Sequence, residues 1–352
     1  MNRYTRIIVQ ALAVTSFAFG TARAATVFIP EGSAGAVVVV DSQTDTVVNR
    51  LSELPDVHGL GGSDGSRYLV AGSFSEQSAE DMPEVARPAN VSESEHAKHH
   101  GAGARQKSPD GASSILTILD ASTGNSVRRL EVPGAVHHVS VSPDGRYAVA
   151  THPNGDGVSI VDLKTLTVVG FVPTGSLPNY AVFSPDSSRA YVTNSGDGTI
   201  SEIMVEHQMV RRILPAGDSP EHIVMNEDGT SLFVANVDAG TISELSVESG
   251  KIRRSFEIGG LLHGLDITED GQTLFVSGNG EDKLSAVDLP SGNIRSVPIG
   301  PAPYHLTVID GTDKLYVSSR DEPLVWVVDR RNLTKLGTIP IEGEGHQMVV
   351  LH

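Results

Sequence analysis

A segment of about 42 residues recurs along this chain, and a period of that length restricts the fold to stacked or radial repeats. The copies are clearest from Gly134 onward. There HHVSVSPDGRYAVATHPNGDGVSIVDLKTLTVVG, NYAVFSPDSSRAYVTNSGDGTISEIMVEHQMVRR, EHIVMNEDGTSLFVANVDAGTISELSVESGKIRR and LHGLDITEDGQTLFVSGNGEDKLSAVDLPSGNIR align almost without gaps. A fifth copy opens at His305, a last fragment at His346, and an earlier, interrupted copy at His58.

Within each copy four short runs alternate apolar and polar residues. In one copy they cover 223–225, 231–235, 241–247 and 251–258, and Asp228-Gly229, residues 238–240 and Ser249-Gly250 separate them. Val, Ile, Phe and Thr at period two, punctuated by Asp-Gly and Ser-Gly, are the pattern of strands joined by hairpin turns. No segment of the repeats holds a helical period. Four strands per copy predict an all-β propeller blade, and the copies number seven. The seventh is split: residues 346–351 supply its innermost strand and residues 26–51 its other three. The ring is thereby closed, with no terminal sheet edge left open. The Asp-Gly pairs at Asp144, Asp228 and Asp270 read as turns and not as calcium ligands.

Residues 1–24 read as a secretory signal peptide: Arg3 and Arg6, an apolar stretch from Ile7 to Phe19, and Ala22-Arg23-Ala24 as a small-x-small cleavage site. No run is long enough for a membrane span, so a periplasmic, monomeric propeller over 25–352 is expected. The net charge is −17, and −20 once Arg3, Arg6 and Arg23 are gone, which argues against nucleic acid or anionic lipid as a partner. The chain contains no cysteine, which excludes disulfides, thiolate metal sites and covalently attached c-type haem. A bound metal must then be held by imidazole, carboxylate, carbonyl or water.

The histidines fall at one place in the repeat. His58, His137 or His138, His222, His263, His305 and His346 all open innermost strands, and the remaining blade offers Asn179 and Tyr180 there. Innermost strands line a propeller's channel, so these rings are expected to crowd its mouth. His58 and His263 begin an HGL motif, whereas His222 and His305 fall one position later, and side chains alternate along a strand. Three or four converging rings are therefore expected, the number that tetrahedral zinc requires. Asp266 or Glu344 would complete the set. Taken singly, such a histidine more often makes a turn contact, and it is the recurrence that points to metal. An insertion at 72–112 interrupts the His58 blade between its second and third strands. It carries His96, His99 and His100 beside Glu93 and Glu95 in a stretch too polar to pack, which predicts a mobile metal-capturing tract or else a solvated loop. His152 is expected on the same face, and His207 in a surface turn.

Ala190-Tyr191-Val192-Thr193-Asn194, after Ser184-Pro185-Asp186, resembles the signature of the YVTN family of seven-bladed propellers; variants recur at 232–236, 274–278 and 315–319. The resemblance covers nearly all of 25–352 and implies fold more than function, because this fold hosts many activities. The histidines make the chain most similar to exported zinc chaperones that feed ABC-type zinc importers. That implies a Zn²⁺ cargo and the importer's solute-binding protein as partner. Imidazole suits zinc, copper, nickel and iron alike, but only six Met are present and none clusters with the histidines, which favours Zn²⁺ over Cu(I). A binding protein is therefore expected rather than an enzyme. Its rivals are a metal-dependent lactonase or lyase, a haem-binding propeller and an interaction scaffold. The 5% aromatic content, with Trp326 the only Trp, speaks against haem. With an ordinary imidazole pKa of about 6.5, metal affinity is expected to fall as pH drops through about 6.

Overall fold

The computed structural model describes residues 25–76 and 111–352. Residues 1–24, expected to be a signal peptide, and His96, His99 and His100 lie outside the described residues. Seven four-stranded antiparallel sheets form a ring, each a blade whose strands follow one another outward from the axis. The innermost strands are Val57–Gly61, Val139–Val141, Pro178–Phe183, Pro220–Met225, Leu265–Ile267, Pro303–Ile309 and Val349–Leu351. Blades are numbered one to seven below in that order.

Blade seven is the one that joins the two ends of the chain. Val349–Leu351 pairs with Thr26–Glu31, which is followed by Ala36–Asp41 and Thr46–Leu51. Edge-free closure of this kind leaves no unpaired strand at either terminus of the ring. In blade one the second strand ends at Ser73 and the third begins at Ser113.

The apolar core is divided into seven wedges, one between each pair of neighbouring blades. Between blades three and four, for instance, Tyr191, Ile200 and Leu214 pack on Ile223, Leu232, Val234 and Leu245. Between blades six and seven, Ile309, Tyr316 and Val325 meet Val27, Ile29 and Val38. In a propeller both faces of a blade's middle strands are covered, so Leu232–Ala235 and Tyr191–Thr193 are buried on consecutive residues and not on alternate ones. Fourth strands such as Ile252–Glu257 lie at the periphery and are mostly exposed.

The innermost strands depart from expectation in one respect that shapes the site. In the copy containing His222 the strand begins at Pro220, three residues before the predicted start. Its pairing jumps from Pro220 opposite Asn236 to Ile223 opposite Val234, so one residue is extra. The same irregularity lies between Val57 and Gly59, Pro178 and Ala181, and Pro303 and Leu306. A bulge repeated around the ring bends each strand where it enters the channel.

Candidate metal centre

The ladder registers align the blades residue by residue. Leu60, Val139, Ala181, Ile223, Leu265 and Leu306 occupy equivalent positions, opposite Ala71, Ala150, Val192, Val234, Val276 and Val317. Counting back two residues gives an outer row: His58, His137, Asn179, Glu221, His263 and Tyr304, with His346 from blade seven. Counting back one gives an inner row: Gly59, His138, Tyr180, His222, Gly264 and His305, with Gln347. Four imidazoles are thus outer and three inner.

The one-residue offset does not disperse the rings, because the bulge turns both rows toward the axis. His58 lies 4.0 Å from His346 and 4.7 Å from His137, centroid to centroid, and His137 lies 4.1 Å from His138. Across the mouth, His138 is 5.4 Å from His222 and 5.5 Å from His305. His263 is 4.5 Å from His222, and His305 is 5.9 Å from His346. All seven rings therefore form one network, more than the three or four the offset suggested. Two triads bring one nitrogen from each member within 4.8 Å of the others: His58, His137 and His138, and His138, His222 and His305. The Nε2 atoms of His263 and His305 are 3.4 Å apart. A tetrahedral zinc ion with Zn–N bonds of about 2.0–2.1 Å holds its nitrogens about 3.3 Å apart.

Local chemistry explains why the rings sit so close. Glycine fills the inner row beside two of them. A Cβ on Gly59 would meet the His138 Cα at 2.9 Å, and one on Gly264 would meet the Tyr304 carbonyl oxygen at 2.5 Å. The HGL motifs therefore supply an outer histidine and the space for the next blade's strand. Hydroxyls at the fourth position of the YVTN-like motif fix the bulges. Thr151 Oγ1 accepts from His138 N at 3.0 Å and donates to Asn179 O at 2.7 Å in the next blade. Thr193 does the same between Tyr180 N and Glu221 O, and Ser277 between Gly264 N and Tyr304 O.

Tautomers follow from the backbone. His58 Nδ1 donates to His137 O at 2.8 Å and His138 Nδ1 to Asn179 O at 3.0 Å, so the Nε2 of each is left with a free lone pair. Among the described residues, four ring nitrogens are buried without a hydrogen-bond partner: His137 Nδ1, His138 Nε2, His222 Nε2 and His346 Nδ1. Burial, reinforced for several rings by neighbouring histidines, lowers the pKa of the whole cluster. His222 and His346 fall to about 3, and His137, His138, His263 and His305 well below 6.5. The rings are thus neutral, as metal ligation requires. Protonation of these rings is thereby moved below the ordinary imidazole range.

Not every sequence candidate belongs here. His152 is buried, but its Nδ1 donates to Ala135 O at 3.2 Å and its Nε2 accepts from Ser159 Oγ at 2.8 Å. It takes the place of the asparagine that ends the YVTN motif, since Asn194 and Asn236 bond the equivalent Ser201 and Ser243, there by donating from Nδ2. Asp266 is occupied by Ile267 N, Thr307 Oγ1 and Val308 N, linking blades five and six. Glu344 does approach the cluster, 3.8 Å from His346 Nε2. His207 is exposed in its turn.

Sequence reasoning missed Glu221, whose carboxylate lies 3.7 Å from His263 Nδ1 and whose pKa burial pushes up to about 7. It occupies the outer-row position that is histidine in four other blades, a signal visible only once the bulge is counted. Also missed were Tyr304, stacked on His263 at 3.9 Å, and Phe74, 5.1 Å from His58. Gln347 closes the channel below the rings by donating to Tyr180 Oη and Val139 O and accepting from Leu60 N and Val139 N. Beyond it lies a cavity of about 200 Å³ lined by Leu60, Val139, Val141, Met348 and Val350.

Comparison with known proteins agrees with this architecture. A family model described as "Lactonase, 7-bladed beta-propeller" matches residues 149–317. This chain is a seven-bladed β-propeller. Among solved structures it is similar to hydrazine synthase of Kuenenia stuttgartiensis, with 14% identity, TM-score 0.67, and coverage of 86% of this chain and 92% of that one. It is also similar to a putative 6-phosphogluconolactonase of Bacteroides uniformis, with 15% identity, TM-score 0.70, and coverage of 93% and 99%. A dihydro-heme d1 dehydrogenase shares 13% identity at TM-score 0.63, over 90% of this chain and 64% of that one. Likeness at these identities is likeness of fold. No protein of curated function matches the sequence. No helix among the described residues is long and apolar enough to cross a membrane.

Proposed function

We propose that this propeller is an exported carrier of a divalent transition metal, with Zn²⁺ as its cargo held on the histidine cluster at the channel mouth. The observation that carries the reading is the set of buried, neutral imidazoles with four nitrogens that have no partner among the described residues. A buried polar atom left unpaired costs about 1–3 kcal/mol, so four at one place are explained by a ligand that takes their lone pairs. The donor set is nitrogen with carboxylates outside it, since Glu221 and Glu344 stand behind His263 and His346. Carboxylates in that position orient metal-bound imidazole and raise its basicity. The importer's solute-binding protein is the delivery partner we assign, on the strength of the family resemblance. Cross-channel contacts such as His138 to His305 leave no slot for a tetrapyrrole, which disfavours the haem reading.

The test is equilibrium dialysis against Zn²⁺ of the protein and of the His138→Ala, His222→Ala double variant. The intact protein should bind tightly, and the variant should lose tight binding while keeping a cooperative thermal transition. Unchanged binding in a folded double variant would contradict the assignment.

A second reading, a metal-assisted lactonase, is favoured by the family match over residues 149–317 and by Glu221. A carboxylate with a pKa near 7 beside a metal-ligand candidate suits a general base. Lactone hydrolysis by the zinc-loaded protein that disappears in Glu221→Gln would establish it, and no hydrolysis above buffer would remove it.

A further inference from the structure

We infer that the cluster seats one ion at a time in two alternative triads that share His138, which acts as the pivot of an internal relay. The inference rests on the metal-binding reading above. Its basis is that both three-histidine groupings contain His138, and that His138 has only one nitrogen to give. Its Nδ1 is committed as a donor to the Asn179 carbonyl at 3.0 Å, and its Nε2 is buried with no partner. Bridging two ions would require imidazolate, with the Nδ1 proton removed while a carbonyl oxygen stays lodged against that nitrogen. Among the described residues neither triad includes a carboxylate to offset two adjacent dications: Glu221 lies behind His263 and Glu344 behind His346.

The two seats differ in depth. His58 and His137 belong to the outer row and are partly exposed, whereas His222 and His305 belong to the inner row and are 3% exposed. An ion entering from the mouth meets His58, His137 and His138 first. It then exchanges two ligands for His222 and His305 while keeping His138 Nε2, and never passes through a fully released state. His138 is itself fixed, because Thr151 Oγ1 holds its backbone N–H and Asn179 O its ring. A pivot that cannot swing makes the ion move instead. This geometry gives a carrier both tight retention in the deep seat and a route for exchange at the outer one.

The experiment uses Co²⁺, whose visible absorption reports its ligands, on the full chain with His96, His99 and His100 replaced by Asn so that only the channel mouth is read. Four proteins are compared: this parent; His58→Asn with His137→Asn; His222→Asn with His305→Asn; and His138→Asn. The parent should take up one Co²⁺ tightly, by spectroscopic titration and native mass spectrometry. Each double variant should still take up one, with spectra that differ from each other. His138→Asn should lose affinity by more than about 100-fold, beyond what loss of an outer-shell partner costs. Two ions held tightly at once by the parent would overturn the inference without any variant being needed. So would undiminished affinity in a folded His138→Asn, or a folded double variant that binds as poorly as His138→Asn. No tight Co²⁺ binding by the parent would instead overturn the metal-binding reading itself.

Discussion

A histidine packed among histidines resists protonation, since the charged form loses water and gains like-charged neighbours. In this ring the effect is collective: burial dominates at His138, and His137, His222 and His58 add to it. The sign of the consequence is definite. In the unfolded chain these rings have an ordinary pKa of about 6.5 and take up protons below it, while the folded rings do not. The unfolded state then binds more protons, so stability is full above about pH 6.5 and is lost as pH falls toward the folded values near 3. Each ring held neutral at pH 5 costs about 2 kcal/mol relative to an unfolded histidine. Glu221, Asp266 and Asp310, raised to about 7, about 6 and about 6, and Glu344, also raised, act in the opposite sense, but seven rings outnumber these four carboxylates. The metal-free protein should therefore melt at a clearly lower temperature at pH 5 than at pH 7. Replacing His138, His263 and His305 by Gln should narrow that gap. An equal gap in the triple variant would show that other groups govern the acid response.

At the scale of the element, the unit that builds the site is a bulged strand, pinned in four of the blades by a hydroxyl, from Thr151, Thr193, Ser277 or Ser318. Thr151→Val keeps the shape of the side chain but strips the partner from His138 N and Asn179 O. The buried His138 N–H is left unpaired, and Asn179 O keeps only the His138 ring as partner, which should cost about 1–3 kcal/mol in denaturant unfolding, with weaker zinc binding because the strand carrying His138 loses its support. Thr151→Ser should restore both, and a Val variant as stable as the parent would show that the peg is dispensable. This element also marks the limit of what could be read in advance. Period-two alternation and Asp-Gly turns carry strand identity and blade count, because burial on a pleated sheet imposes them directly. The HGL and YVTN-like motifs were visible as strings. That His58 and His222 reach the same opening depends on an extra residue in the ladder, which a pattern of apolar and polar residues does not encode. Glu221 stayed hidden for the same reason, being in register with His137 only after that residue is counted.

The whole molecule is a closed ring, and its closure is what holds the seven strand entries around one axis. Blade seven depends on a short strand from the far end of the chain, with Val349 buried in the wedge shared with blade one and Met348 and Val350 packed against the wedge shared with blade six. Removing residues 345–352 would expose the Thr26–Glu31 edge and forfeit these side chains, each worth about 1.5–3 kcal/mol when fully buried. Total stability is only about 5–15 kcal/mol, so the truncated protein should lose its cooperative transition or melt far lower. An unchanged melting temperature would mean that closure is unimportant. The ring also takes its seventh imidazole, His346, from that segment, so fold and site are joined there. The central claim is that these rings hold a metal through nitrogen, and zinc-edge X-ray absorption on the dialysed, zinc-loaded protein lacking residues 90–104 tests it most directly. The account predicts a four-coordinate shell with at least three imidazole nitrogens at about 2.0–2.1 Å. A shell of oxygen ligands without imidazole scattering, or no zinc retained after dialysis, would contradict it.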